Sequence, residues 1–309
     1  MLKAYFAIVS FLSVLSVGPA LAAPPGNWQA KLAGQMRVDE RSGKDLRYQY
    51  RLRFYPAYHF DAAWSLQAFV ATGKGFASSH NTLDDGKADH LYLRRLYLRH
   101  QDSAGKTEFG VIPTYKGDVA STGLSKDGWI NGLRRVQNMN ANTRLEVVVG
   151  ELAHLDNADA WQKWHSLNYA ELELSSRVNN ALSYELSLEH MLGDNFLRGE
   201  LRYQSASQQT YAIELVDRLD SNKVKLVLSF GMPLAWLGKN TELFSHYSYA
   251  DKGFGERAEL TEDFLDYGHA IALELDGKLG VKPWGWFAKF EHYAEHSTNR
   301  AQLGIKFSF

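Results

Sequence analysis

The sequence predicts an all-β protein, a transmembrane antiparallel β-barrel with short periplasmic turns and longer extracellular loops. Three observations carry this prediction. Many segments alternate apolar and polar residues, which is the period of a strand with two different faces. No segment reaches the ~20 apolar residues of a spanning helix, although 45% of the residues are hydrophobic. Finally, Arg300–Phe309 is a closing strand with one apolar face, formed by Leu303, Ile305, Phe307 and Phe309.

The N-terminus has the pattern of a secretory signal peptide. Lys3 supplies a short charged region, Ala4–Val17 is apolar, and Ala20, Leu21 and Ala22 form a small-x-small cleavage pattern. The apolar run is shorter than a spanning helix, which needs ~20 residues. We therefore predict a signal peptide over residues 1–22 and a single barrel domain over residues 23–309, exported to the outer membrane of a Gram-negative bacterium.

Sixteen segments of alternating residues follow, most of them close to the ~9–11 residues of a tilted membrane strand. The links after odd-numbered segments include four long polar ones, and the links after even-numbered segments are short, which is typical of outer-membrane barrels. The sixth segment follows a glycine-rich loop; without it and one neighbour the barrel would have 14 strands. The predicted segments are 28–39, 46–58, 62–72, 89–100, 106–113, 129–137, 144–152, 167–177, 182–191, 196–205, 210–217, 223–231, 241–250, 266–276, 284–293 and 300–309.

Arginine residues recur on the polar face of the early segments. An arginine facing lipid at mid-membrane costs ~2–4 kcal/mol, so this face is predicted to meet water. The doublet Arg94–Arg95 would send one arginine into lipid under strict alternation, and a β-bulge would turn both inward. The same device is predicted at Arg134–Arg135. The predicted basic wall of the lumen comprises Arg47, Arg51, Arg53, Arg94, Arg95, Arg99, Arg134 and Arg135.

An acidic wall is predicted on later segments, although basic residues such as Arg198 and Lys225 interrupt it. Two interpretations stay open. The charges solvate a polar interior, as charged faces usually do, or the two walls set up a field across a water-filled pore. The predicted acidic residues are Glu171, Glu173, Glu185 and Glu189, with Glu214 and Glu274 on the same kind of face.

These features together resemble bacterial general diffusion porins. The resemblance implies passive diffusion of small hydrophilic solutes or ions, contact with outer-membrane lipid and lipopolysaccharide, and assembly as a homotrimer. It implies no enzymatic activity, cofactor or metal, and the net charge of −1 argues against nucleic acid as a partner. It also implies that the third extracellular loop, Thr114–Gly128, enters and narrows the barrel. This loop is short for the family, and its charged residues are Lys116, Asp118, Lys126 and Asp127.

Two alternatives to a general porin remain at this stage. His246 and Ser248 share a strand face and resemble the His-x-Ser element of lipid A deacylases and, more loosely, of outer-membrane phospholipases. Glu242 or Glu274 would then orient the histidine. Tyr249 stands where those families have asparagine. The second alternative is a substrate-specific channel, or a barrel that holds a partner in its lumen.

Overall fold

A computed structural model of the protein describes residues 27–83, 91–114, 119–120, 122–238, 240–280 and 283–309, so the predicted signal peptide lies outside the described residues. Within them, no helix has the length and apolar character needed to cross a membrane. A 3₁₀ turn spans Ala235–Leu237, and a one-turn helix, α1, spans Glu256–Glu259. The strands are β1 Trp28–Arg41, β2 Arg47–His59, β3 Trp64–Thr72, β4 Asn81–Thr82, β5 Leu91–Asp102, β6 Gly105–Pro113, β7 Trp129–Asn138, β8 Thr143–Glu151, β9 Tyr169–Arg177, β10 Leu182–Met191, β11 Asp194–Gln204, β12 Thr210–Arg218, β13 Lys223–Pro233, β14 Glu242–Ala250, β15 Gly268–Lys278, β16 Trp284–Tyr293 and β17 Thr298–Ser308.

The strands form one closed antiparallel sheet. Each long strand pairs with its neighbours in sequence, and β17 pairs with both β16 and β1. The two-residue strand β4 pairs with β2 at Gln49 and Tyr50, beyond the last residue of β2 that β3 reaches, so the other sixteen strands make the barrel. The prediction of sixteen strands is confirmed. The doubtful sixth segment forms β7, because Leu133 and its neighbours pair regularly with both β6 and β8.

The connections divide into two sets. Four long links, 73–90, 114–128, 152–168 and 251–267, lie at one end of the barrel, which we call the loop end. At the other end, the turn end, the longest link is 234–241. This is the predicted asymmetry, and it follows because antiparallel strands return to the same end at every second link.

The two faces of the wall have opposite character. Outward side chains such as Leu186, Leu188 and Leu215 are apolar and exposed, whereas charged side chains of the same strands face the interior and are buried. Aromatic rings cluster on the outside near the turn end, where the Tyr58 ring lies 5.0 Å from Trp28 and 5.2 Å from Phe60. Such a girdle marks the level of a membrane interface.

Loops and wall share an apolar cluster near the loop end. Phe76, Leu124 and Phe254 come from three different loops and pack with wall residues that include Ile112 and Phe196. Burial of these large side chains holds the loops in the barrel, since each stabilises the packed state by ~1.5–3 kcal/mol. Part of the barrel near this end is therefore filled.

Candidate pore and its charged walls

The arginine doublet of β5 sits at a β-bulge. The pairing of β3 with β5 sets Phe69 opposite Arg95 and Val70 opposite Leu93, so that Arg94 has no opposing residue. Both arginines are buried on the interior side. The bulge predicted from the doublet is therefore present. An extra residue in one strand returns the next side chain to the same face, so both arginines point inward.

Arg94 and Arg95 hold loops rather than border open water. The Arg94 guanidinium donates hydrogen bonds to the carbonyl oxygens of Gly73 (2.6 Å) and Asp127 (3.0 Å). Arg95 Nε donates to the carbonyl oxygen of Gly128 at 2.7 Å, and the Arg95 guanidinium lies 4.5 Å from the centre of the Phe69 ring. Charge-assisted hydrogen bonds of this kind are stronger than neutral ones, so the doublet fixes the end of loop 114–128 against the wall.

Asp127 places its carboxylate among the arginines of β2. One oxygen lies 2.5 Å from Arg53 Nη2 and the other 3.9 Å from Arg51 Nη1. The Ser79 hydroxyl donates a further hydrogen bond of 2.7 Å. Burial alone would raise the pKa of Asp127, but the charges of Arg53 and Arg51 outweigh it and hold that pKa well below its usual range. Asp127 is therefore an anion at neutral pH, and it contacts arginines of the basic wall.

The remaining predicted residues of loop 114–128 differ in position. The Lys126 ammonium is exposed and lies 3.4 Å from a carboxylate oxygen of Glu262. Lys116 and Asp118 lie outside the described residues. Nearby, burial and the charges of Arg51 and Arg37 hold the pKa of His80 far below its usual value, so His80 is neutral and adds no positive charge.

The other predicted basic residues are divided between paired and open positions. Arg134 is fully buried with its Nη1 2.7 Å from Glu108 and its Nε 2.8 Å from Glu146. Arg99 also pairs with Glu108, at 2.7 Å. Arg47 pairs with Asp39 near the loop end. Arg51 keeps 20% of its side chain exposed, and its contact with the Asp127 carboxylate is long, so Arg51 is only weakly paired.

Arg135 does not face the lumen, and the prediction for this residue is wrong. β7 pairs with β6 and β8 without a register shift, and Arg135 lies opposite Val147, whose side chain is exposed on the outer face. Its guanidinium donates to Thr107 Oγ1 at 3.1 Å and to Gln137 Oε1 at 2.6 Å. Because this position is close to the turn end, the long side chain can reach the polar interface, where an outward arginine costs only ~0–1 kcal/mol.

The predicted acidic wall faces inward but does not border open water. Arg198 lies in its centre, with Nη2 2.9 Å from Glu173, Nε 3.4 Å from Glu189 and a close contact to Glu185. Glu171 is also buried and accepts a 2.7 Å hydrogen bond from the Tyr169 hydroxyl. Glu173, Glu185 and Glu189 are thus paired with Arg198 inside the protein and do not face open water.

The described part of loop 114–128 lies between the two walls. At its end, Asp127 contacts the arginines of β2, while Thr122 donates a hydrogen bond to Glu214 and the Val119 N–H donates to Glu185 at 3.4 Å on the opposite side. The loop is thus tied to an arginine of one wall through the Asp127 carboxylate and to glutamates of the other wall through Thr122 and Val119.

A second loop, 251–267, joins the first one inside the barrel. The Ser125 N–H donates to the Leu260 carbonyl oxygen at 2.8 Å, and the Glu262 N–H donates to the Gly123 carbonyl oxygen at 3.1 Å. Buried ion pairs hold this loop to the wall: the α1 residue Arg257 contacts Glu189, and Asp263 lies 2.7 Å from Lys225. Burial would raise the pKa of Asp263, but Lys225 lowers it. The sequence predicted a long link here but not its entry into the barrel; the length of the link was the only local signal.

Open space remains beside these loops, towards the turn end. A cavity of about 900 Å³ is lined by β1, β2, β14 to β17 and Lys126. An adjoining cavity of about 690 Å³ shares three carboxylates with it, namely Glu242, Glu274 and Asp276. The cations that line the larger cavity are Lys31, Arg51, Arg53, Lys126, Lys278 and Lys306.

The His246–Ser248 pair does not have the geometry of a nucleophile and its base. Both side chains are buried on the interior face of β14. In the described part of the chain, both ring nitrogens of His246 lack a hydrogen-bond partner, and so does the Ser248 hydroxyl. A serine nucleophile needs a hydrogen bond to its base, and the acyl chains of a membrane lipid would lie on the other side of the wall.

The geometry defines a closed sixteen-stranded barrel with a loop-constricted, charged interior. No protein-family model matches the chain, and no curated protein matches it. Among solved structures, a mutant porin of Rh. blastica covers 91% of this chain and 100% of its own, at 11% identity and a TM-score of 0.62. OccD3 (OpdP) of Pseudomonas aeruginosa covers 96% and 97% at 10% identity, with a TM-score of 0.59. OprB of Pseudomonas putida covers 92% and 93% at 9% identity, with a TM-score of 0.58. The chain has the barrel fold of these porins.

Proposed function

We propose that this protein is an outer-membrane channel through which small hydrophilic solutes or ions diffuse passively. The observation that carries the proposal is the closed barrel, whose apolar outer face encloses a cavity of about 900 Å³ lined by charged side chains. Such a wall separates lipid from water, which is what a diffusion channel requires. Export by a signal peptide over residues 1–22, contact with lipid and lipopolysaccharide, and assembly as a homotrimer are parts of the same proposal.

Loops 114–128 and 251–267 set the aperture in this proposal. They pair with each other through backbone hydrogen bonds and are fixed to the wall by buried ion pairs. The solute path then lies beside them, along Arg51 and the carboxylates of β14 and β15. This narrowing favours a small conductance and a strong influence of the charges that line the path, since low-dielectric walls focus their field.

Conductance of the purified protein in a planar lipid bilayer tests the proposal. We expect discrete current steps that are proportional to the applied voltage. A protein that is folded and inserted, yet gives no steps, would contradict the channel and favour a scaffold or an enzyme. Assays on phospholipid and lipid A, with Ser248→Ala as the matched variant, would then test the hydrolase; the buried and unpaired positions of His246 and Ser248 count against it.

A further inference from the structure

The open cavity carries unpaired charges of both signs. In the described part of the chain, Lys31 on β1 has no ion pair or hydrogen bond, and the same holds for Glu242 on β14 and Glu274 on β15. Asp276, by contrast, pairs with Lys306, and Arg53 pairs with Asp127. The free charges thus lie where the lumen is open, and the carboxylates beneath the loops are paired.

Most of the unpaired charges of the two signs lie on different strands of the wall, although Lys278, at the end of β15, is a cation on the acidic side that has no ion pair among the described residues. The inward faces of β1 and β2 present Lys31 and Arg51, which the register places on the same face as Gln35 and Tyr55. Glu242 and Glu274 lie two pairs apart on the inward faces of β14 and β15, with Glu274 opposite Phe244 and Glu242 opposite Asp276. One cavity is lined by both sets. A solute inside it therefore meets unpaired or weakly paired charges of both signs, with Lys31 and Arg51 on β1 and β2 and with Glu242 and Glu274 on β14 and β15.

We propose that this cavity, on the turn-end side of the Asp127 constriction, is a binding site for small zwitterions that carry both an ammonium and a carboxylate group. This inference rests on the proposed channel function and names its preferred class of solute. Lys31 and Arg51 contact the carboxylate of the solute, and Glu242 and Glu274 contact its ammonium group. Amino acids and short peptides have this chemistry, and a cavity of about 900 Å³ admits them together with water.

Variants that neutralise one side of the cavity can distinguish a zwitterion site from simple ion selectivity. A zwitterion has no net charge, so a change in the average potential of the lumen leaves its entry unaffected to a first approximation. A site that holds both ends of the solute behaves differently, because loss of either wall weakens binding. Neutralising the basic side and neutralising the acidic side should then have the same effect on a zwitterion and opposite effects on an ion.

The test uses proteoliposomes that contain the purified full chain. Entry of glycylglycine is compared with entry of arabinose, a neutral solute of similar size, by the rate of liposome swelling. The two variants are Lys31→Gln and the double variant Glu242→Gln with Glu274→Gln. Each should lower the ratio of the glycylglycine rate to the arabinose rate about two- to fivefold, the worth of one exposed charge contact. Entry of arabinose in each variant reports that the barrel is folded and open, and the ratio corrects for any change in aperture.

A matched control and the contrary outcomes complete the design. Glu256→Gln removes an exposed carboxylate of α1 that does not line the cavity, and it should leave the ratio unchanged. A ratio that is unaffected in both test variants, or that rises in one and falls in the other, would overturn the zwitterion site while arabinose entry keeps the channel standing. If neither solute enters with the parent protein, the channel itself fails and the site fails with it.

Discussion

Two arginines show how position along a strand decides what a charged residue does. Arg51 lies on the interior face of β2 beside the open cavity, whereas Arg135 lies on the outer face of β7 near the turn end. Both residues are partly exposed, and they carry the same charge. Their contributions to the potential of the lumen differ because one faces the water path and the other is separated from it by the wall.

The first prediction compares neutral variants of these two arginines. Arg51→Gln should shift the reversal potential in a salt gradient towards that of a cation-selective pore, because a partly exposed cation is lost from the solute path. A charge ~4 Å from a passing ion is worth ~1 kcal/mol in water, so the permeability ratio should change roughly fivefold at low salt. Arg135→Gln is the control and should leave the reversal potential unchanged. Equal reversal potentials for parent and Arg51→Gln would refute a pore role for Arg51.

Sequence reasoning at the residue scale succeeded where lipid exclusion acts at mid-membrane. The Arg94–Arg95 doublet forced a bulge, since neither side chain tolerates hydrocarbon, and the bulge is present. The same reasoning failed for Arg135, because depth in the membrane is not visible in a period-2 pattern. It also placed Glu173 and Glu185 in the pore wall without revealing that Arg198 pairs with them. Pairing across strands depends on register, which the sequence of one strand does not contain.

Strands and loops differ in how far local sequence determines them. The strands follow from alternation alone, because each must present one face to lipid and the other to water, and β7 formed where the sequence was least clear. The path of loop 251–267 depends instead on contacts with distant residues, such as Lys225 with Asp263 and Arg257 with Glu189. No short-range pattern encodes these contacts, so the entry of this loop into the barrel was not predicted.

The second prediction concerns the anchor of loop 114–128. Asp127→Asn removes the carboxylate that pairs with Arg53 and leaves that arginine buried without its counter-ion, which costs about 3–5 kcal/mol for a buried pair. The end of the loop should then populate an undocked state to a large extent. We expect single-channel recordings of the variant to show a larger and noisier conductance. Ser78→Ala, which changes an exposed hydroxyl of the neighbouring loop, is the control.

Acid should act on the same anchor in a defined direction. The pKa of Asp127 is lowered when the loop is docked, so its stabilising contribution is fully present above the undocked pKa of ~3.9 and is lost as pH falls through the lower docked pKa. Because Asp127 stays ionised, this anchor should hold the loop, and the parent channel should keep its conductance, from neutral pH down to about pH 4. An acid-induced increase below that pH should be absent in Asp127→Asn. A parent conductance that rises between pH 7 and 5 and needs Asp127 would contradict this assignment.

At the scale of the whole molecule, closure decides whether the barrel can exist in lipid. β17 joins β16 to β1 through continuous antiparallel pairs from Ala33–Ser308 to Arg41–Arg300. The pairing continues to the last residue, where the Phe309 N–H donates to the Leu32 carbonyl oxygen at 2.8 Å. Without this strand, β1 and β16 would expose unpaired backbone groups to hydrocarbon, and each such group costs several kcal/mol.

The fourth prediction follows from closure. Removal of residues 298–309 should abolish the folded barrel in detergent or liposomes, because no other strand in the described ranges stands free to pair with β1 and β16. Folding is measured by the difference in gel mobility between boiled and unboiled samples and by resistance to protease. Phe309→Ala is the matched control: it keeps every backbone hydrogen bond of β17 and removes only an exposed ring, so it should give the folded form. A truncated chain that still shows the compact, protease-resistant form would mean that the seam between β1 and β17 does not close the barrel, and the separation of lipid from water by this wall would have to be abandoned.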